Sequence, residues 1–100
     1  MSPFQKKVLS LTKKITRGKV TTYGEIARIL RTSPRAVGQA LRENPHPIKI
    51  PCHRVVKSDG RLGGYLGGVK KKIVLLRKEG IEVKNKKIVN FNHYLMKFRK

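Results

Sequence analysis

Apolar residues recur at helical spacing through the first half of the chain and then change period. Phe4, Val8, Leu11 and Ile15 fall at i, i+4, i+7 and i+11, one face of a helix that Gly18 is expected to stop. In VTTYGEIARIL, Ile26, Ala27 and Leu30 form a second buried stripe; Thr22 can cap it, and Glu25 stands three residues later at capping-box spacing. RTSPRAVGQALREN repeats the logic, with Ser33 as N-cap, Pro34 as the first helical residue, Val37, Ala40 and Leu41 facing inward, and Asn44-Pro45 as the end. Two short helices so close together predict a helix-turn-helix over about 22–43, its second member being the recognition helix.

After Pro47 the pattern becomes extended: IKIP alternates and HRVV is a short apolar run, while SDGRLGGYLGG reads as a glycine-rich turn where backbone can approach a ligand. Val69, Ile73 and Leu76 restore the helical period, closed by Gly80, and IEVKNKKIV reads as a hairpin around Lys84 to Lys86, a wing. In the tail NFNHYLMKFRK, Tyr94 and Phe98 stand at helical spacing and predict a terminal helix. The expected fold is mainly α, a winged helix-turn-helix-like domain with a small β wing. It forms one domain over 1–100: a site-bearing loop at 44–68, a final helix and hairpin at 69–89, and a basic tail at 90–100.

Charge narrows the choice of partner. Lys and Arg number 25 against 5 Asp and Glu, a formal net charge of +20, which favours a polyanion: nucleic acid first, an anionic membrane surface second. A solubilising surface needs no such imbalance, because mixed charges solubilise without self-repulsion. With a helix-turn-helix present, the expected partner is double-stranded DNA. Nowhere do ~18 apolar residues run together, so neither a membrane span nor a signal peptide is expected, and the protein is placed inside the cell, cytoplasmic or DNA-associated, as a monomer. The single cysteine cannot form an internal disulfide and is too few for a thiolate zinc site, and the three histidines lack paired ligand spacing. No metal or cofactor is expected.

That cysteine lies in NPHPIKIPCHRVVKSDG. Pro51 biases Ile50 toward extended backbone and fixes its own φ, so Cys52 is presented from stiff chain, with Pro45 and Pro47 stiffening the approach. A free thiol titrates near pH ~8.5 and needs a cation, a base or a helix N-terminus to react at neutral pH; His53 and Arg54 are nearest in sequence. Neighbours on a strand point to opposite faces, so Cys52 and His53 can cooperate only if the backbone turns there or a water bridges them. A carboxylate to orient the imidazole can be only Glu25, Glu43, Asp59, Glu79 or Glu82. Glu79, ending the last core helix, is the leading choice. Taken alone, a cysteine beside a histidine is more often a small buried hydrophobe than a nucleophile.

RAVGQALRENPHPIKIPCHRVV, followed by GRLGGYLGG and LLRKEG, resembles the O6-alkylguanine-DNA alkyltransferases, and the likeness runs from about Phe4 to Val89. The resemblance implies repair by direct reversal: an O6-alkylguanine is flipped out of the duplex and its alkyl group moves irreversibly to Cys52, one reaction per molecule. It further implies that His53 is the base, reaching the thiol through water, that Glu79 orients it, and that Asn44 ties the recognition helix to the site loop. Arg35 matches the finger that fills the space of the extruded nucleotide, and Tyr23 the residue that crowds its phosphate. Ala36, Gly38 and Ala40 keep the helix face shallow. Tyr65 matches the pocket tyrosine, the backbone of Cys52, Val55 and Leu66 would contact the guanine edge, and Gly67 and Gly68 let the loop close.

Two departures accompany the likeness. Relatives usually carry a further N-terminal domain, whereas the first helix here begins almost at Met1, and Leu66 stands where some relatives have serine. Three other readings compete. An alkyltransferase-like module would recognise alkylated DNA without transfer, but such proteins lack the cysteine. A winged helix regulator held by charge alone would be indifferent to lesions. A cysteine hydrolase would need an oxyanion hole and turnover on an acyl substrate.

Overall fold

Each of the first three helices starts where a hydroxyl side chain holds an otherwise unpaired amide. In a computed structural model describing residues 2–46 and 48–99, Ser2 caps α1 (Pro3–Lys13), Thr22 caps α2 (Tyr23–Leu30) and Ser33 caps α3 (Pro34–Arg42). Their hydroxyls accept from Gln5, Glu25 and Ala36 at 3.1, 2.9 and 3.1 Å. The stiffening expected of Pro47 lies outside the described residues. Helix α1 stops at Lys13, short of the expected Ile15. The Lys14 amide turns back to the Leu11 and Thr12 carbonyls, which leaves Ile15, 1% exposed, free to enter the core from the loop.

Helices α2 and α3 form the predicted helix-turn-helix. The turn is made by Arg31 in the left-handed region (φ 55, ψ 51), with the Thr32 amide on the Ala27 carbonyl at 2.9 Å, a Schellman-type closure. Gln5 joins this pair to α1, its amide reaching the Ala40 and Glu43 carbonyls.

Two short strands carry the chain into the site. β1 (Thr21–Thr22) pairs in parallel with β2 (Val55–Val56), Thr21 opposite Val55. Because strand side chains alternate, Val55 enters the cluster of α1, α2 and α3, while Val56 enters a second cluster with Leu62, Leu76, Ile81 and Ile88. That second cluster is built by α4 (Val69–Lys78) and the wing, β3 (Val83–Lys84) against β4 (Lys87–Ile88). Asn85 and Lys86, at φ 54 and 58, make the two-residue hairpin turn.

The tail departs from its expected helix. Only α5 (Phe91–Tyr94) is helical, and Leu95 then runs extended beside Val20. The cause is competition for backbone partners: the Val20 amide donates to Tyr94 O at 2.9 Å and the Met96 amide to Val20 O at 2.7 Å. Phe98 reaches the first cluster from this extended segment.

Candidate functional site

Cys52 owes its position to two tight turns. Pro51, at φ -79 and ψ 63, is the centre of an inverse γ-turn that brings the Cys52 amide to 2.7 Å from Ile50 O. A single 3-10 turn over Cys52–Arg54 follows. His53 and Arg54 therefore leave the extended run expected of HRVV, which Val55–Val56 keep as β2, and the backbone turn that Cys52 and His53 need in order to act together is present. Asn44, 5% exposed, staples the approach: its Nδ2 donates to Ile50 O at 2.9 Å and its Oδ1 accepts from the His46 amide at 2.9 Å. The expected extended IKIP is instead a turn, with the Ile50 amide on His46 O at 2.9 Å and Ile48 at φ 77.

Behind the thiol lies a buried charged group. Glu79 Oε2 is 2.8 Å from His53 Nε2, and Arg54 grips both carboxylate oxygens at 2.9 Å each while donating to Ile15 O at 2.7 Å. Burial pushes the Glu79 carboxyl up, but the bonds from Arg54 and His53 outweigh it and leave the group below its ordinary range. Burial is the largest influence on His53 and holds its imidazole below the usual value, against the pull of Glu79. A neutral ring beside a carboxylate carries its proton on Nε2. Nδ1, buried and without a hydrogen bond among the described residues, is then the basic nitrogen.

In front of the thiol is a cleft of about 760 Å³ whose lining includes Tyr23, Arg35, Gly38, Cys52, Tyr65 and Leu66. Arg35 is exposed in the first turn of α3, Tyr23 opens α2, and Tyr65 and Leu66 come from the glycine-rich loop. Burial raises both phenols, and the charge of Cys52 raises them further. The Tyr65 hydroxyl is buried without a partner among the described residues, and its ring meets His53 edge-on at 6.4 Å. The site thus unites helix-turn-helix, thiol and glycine loop.

Other residues are not on the cleft wall. Val55 lies in β2 behind it, its amide on Cys52 O and its carbonyl on Lys72. Ala40, 7% exposed, faces the core rather than a shallow outer face. Ala36 is half-buried beside the cleft, and Gly67 is exposed, its missing side chain leaving room for Lys71. Sequence reasoning missed two residues. In the sequence Arg54 stands out only as a cation for the thiol, and Lys72, wholly buried, does not stand out among 25 basic residues. The available signal was its register, three residues after Val69 and four before Leu76 on the apolar stripe.

Fold and site together define a winged helix-turn-helix-like domain with a cysteine at the foot of its recognition helix. The sequence profile described as 6-O-methylguanine DNA methyltransferase, DNA binding domain, matches residues 3–81, and the chain belongs to this family. The methylated-DNA--protein-cysteine methyltransferase of Thermococcus kodakarensis is 53% identical over 83 residues, 82% of this chain and 47% of that protein. The chain spans about half the length of the curated relatives it matches. Mycobacterium tuberculosis OGT in complex with DNA superposes with TM-score 0.77 at 40% identity, over 80% of this chain and 50% of that one. S. pombe Atl1, in complex with damaged DNA containing O6-carboxymethylguanine, matches over 97% of both chains with TM-score 0.80 at 34% identity.

Proposed function

We propose that this chain repairs O6-alkylguanine in double-stranded DNA, taking the alkyl group onto Cys52 in a single irreversible turnover. One observation carries the reading: the thiol opens into the cleft beside the recognition helix while an imidazole locked to a carboxylate lies behind it. His53 Nδ1 takes the thiol proton through a bridging water, and Glu79 stabilises the resulting imidazolium. The thiolate sulfur bonds to the alkyl carbon as the carbon–O6 bond breaks, and the guanine leaves with that electron pair and regains a proton. No metal or cofactor is needed.

The base must leave the stack to reach a recessed sulfur. Arg35, exposed at the rim, takes the vacated space, and Tyr23 bears on the extruded nucleotide. Tyr65 and Leu66 flank the base in the cleft. Asn44 holds the loop in register with the recognition helix. The domain over 1–100 acts as a monomer on DNA inside the cell.

Intact mass and peptide mapping after incubation with a duplex carrying one O6-methylguanine test the reading. The expected result is one methyl on Cys52, stopping at one per protein, with Cys52→Ala binding the duplex but gaining no mass. A second reading, recognition without transfer, is raised by the end-to-end match to Atl1 bound to damaged DNA. Unmodified protein that binds the lesion selectively selects it.

A further inference from the structure

Helix α1 carries a row of cations that the repair chemistry does not use. Lys6, Lys7, Lys13 and Lys14 are all exposed and fall at i, i+1, i+7 and i+8, two pairs separated by two turns on one face. Ser10 lies at their centre, four residues from Lys6 and Lys14 and three from Lys7 and Lys13. A carboxylate there would pair with its neighbours, yet the position holds a small hydroxyl, and α1 has no acidic residue. None of the four lysines makes an ion pair among the described residues. Lys13 and Lys14 suit the C-terminal end of the helix, but Lys6 stands in its first turn, where the macrodipole opposes a cation. Helix stability therefore does not account for the row.

The row looks away from the recognition helix. α1 buries Val8 and Leu9 in the cluster that also takes Val37 and Leu41 of α3, and the lysines leave its other side. Arg35 and Arg42 are exposed on α3 and line the cleft, to which α1 contributes none of the described residues. The helical cluster therefore separates two basic faces, in a molecule of 35 × 26 × 20 Å. At its C-terminal end the row continues through Arg17, whose guanidinium donates to Lys78 O at 3.1 Å and brings the basic end of α4 alongside.

We propose that the lysine face of α1 is a second duplex-binding surface, so that one molecule bridges two DNA segments, one on α3 and the other on α1. The inference goes beyond alkyl transfer and does not depend on the chemistry of Cys52. Charge complementarity selects the occupant. The two lysine pairs stand about 10 Å apart along the helix, and their flexible arms can reach phosphates on both sides of a major groove about 12 Å wide. Ser10, between them, leaves room for the duplex to approach. Such contacts hold phosphates and read no base. An anionic membrane calls for a helix that also offers an apolar side, but the apolar side of α1 is in the core, and the exposed large hydrophobics, Ile48, Leu66 and Val74, lie elsewhere.

The test mixes wild type with an excess of plain duplexes, labelled separately with donor and acceptor dyes, at about 50 mM salt, and follows energy transfer between the duplexes alongside sedimentation velocity. Wild type is expected to give energy transfer and a species of one protein with two duplexes. The second duplex is expected to show a slope of log affinity against log salt of about −3 to −4, the share of four phosphate contacts. Lys6→Gln, Lys7→Gln, Lys13→Gln and Lys14→Gln together are expected to weaken capture of the second duplex at least about tenfold. Lys70→Gln, Lys84→Gln, Lys86→Gln and Lys87→Gln together remove the same charge from α4 and the wing and are expected to keep bridging. The proposal is overturned by wild type without energy transfer, by undiminished bridging in the α1 variant, or by equal loss in the control. A bridged species holding two proteins overturns it too, since copies of the chain then join the duplexes. Vesicles of phosphatidylserine and phosphatidylcholine are probed in parallel, and α1-dependent binding to them without bridging marks a membrane face and overturns the proposal. If the α1 variant does not fold, wild type decides, and a second-duplex slope shallower than about −1 overturns the proposal. Wild type that bridges but accepts no alkyl group overturns the repair reading alone, whereas wild type that repairs without bridging overturns this one alone.

Discussion

Gly63 shows how narrow the tolerances of the cleft are. It sits at φ 72, and a Cβ there would lie 3.1 Å from the Tyr23 hydroxyl and 3.3 Å from its ring. Tyr23 packs against the first core cluster and has little freedom to retreat. Gly63→Ala is therefore expected to cost about 1–3 kcal/mol through left-handed strain and crowding, and to slow alkyl transfer by displacing Tyr23. Urea midpoints and transfer rates check both, and an unchanged midpoint would mean that Tyr23 yields freely. Residues whose roles are local were legible in the sequence. Thr22 and Ser33 cap as read because a cap depends on three or four neighbouring residues. Glu79 could be singled out because acids are so scarce. Lys72 and Arg54 were hidden because their meaning depends on carbonyls and a carboxylate supplied from distant parts of the chain.

At the scale of elements, the tail is where local pattern and tertiary contact disagree. Tyr94 and Phe98 have helical spacing, yet the backbone after Tyr94 pairs with Val20 and continues along α2, where Thr21 Oγ1 donates to Met96 O at 2.8 Å and the Phe98 amide to Glu25 Oε2 at 2.7 Å. Arg28 completes the clasp, holding the same carboxylate at 2.9 Å and donating to Phe98 O at 3.0 Å. Helical propensity over so short a segment is weak, and an open strand edge offers better partners. The clasp braces the N-terminal turn of α2, from which Tyr23 enters the cleft. Truncation after Tyr94 removes the half-buried Leu95, Met96 and Phe98 and is expected to lower stability by about 2–4 kcal/mol, read as a drop in unfolding temperature. A truncated protein of unchanged stability would show that the tail merely rests on the surface.

For the whole molecule, overall charge and the chemistry of the cleft have different tasks in the proposed repair. In the proposed repair, the net charge of +20 would act on the phosphate backbone and be indifferent to which base is damaged, whereas the cleft proposed to receive the base draws about half its lining from tyrosine, glycine and leucine, with Arg35, Arg42 and Lys57 also on its walls. Each phosphate neutralised releases counterions, giving a slope of log affinity against log salt of about −0.9 per contact. A helix-turn-helix footprint of roughly 6–8 such contacts predicts a slope of about −5 to −7. An extruded O6-methylguanine base is uncharged and releases no further counterions as it enters the cleft. Lesion and plain duplex are therefore expected to give parallel lines, offset by the lesion preference at every salt concentration, while the transfer rate at saturating protein stays flat. Fluorescence anisotropy with the Cys52→Ala variant measures the slopes without reaction, and single-turnover transfer by wild type measures the rate. Slopes differing by more than about one contact's worth would mean that the lesion is read through phosphates, by a distorted backbone, and that the cleft acts only after recognition is complete.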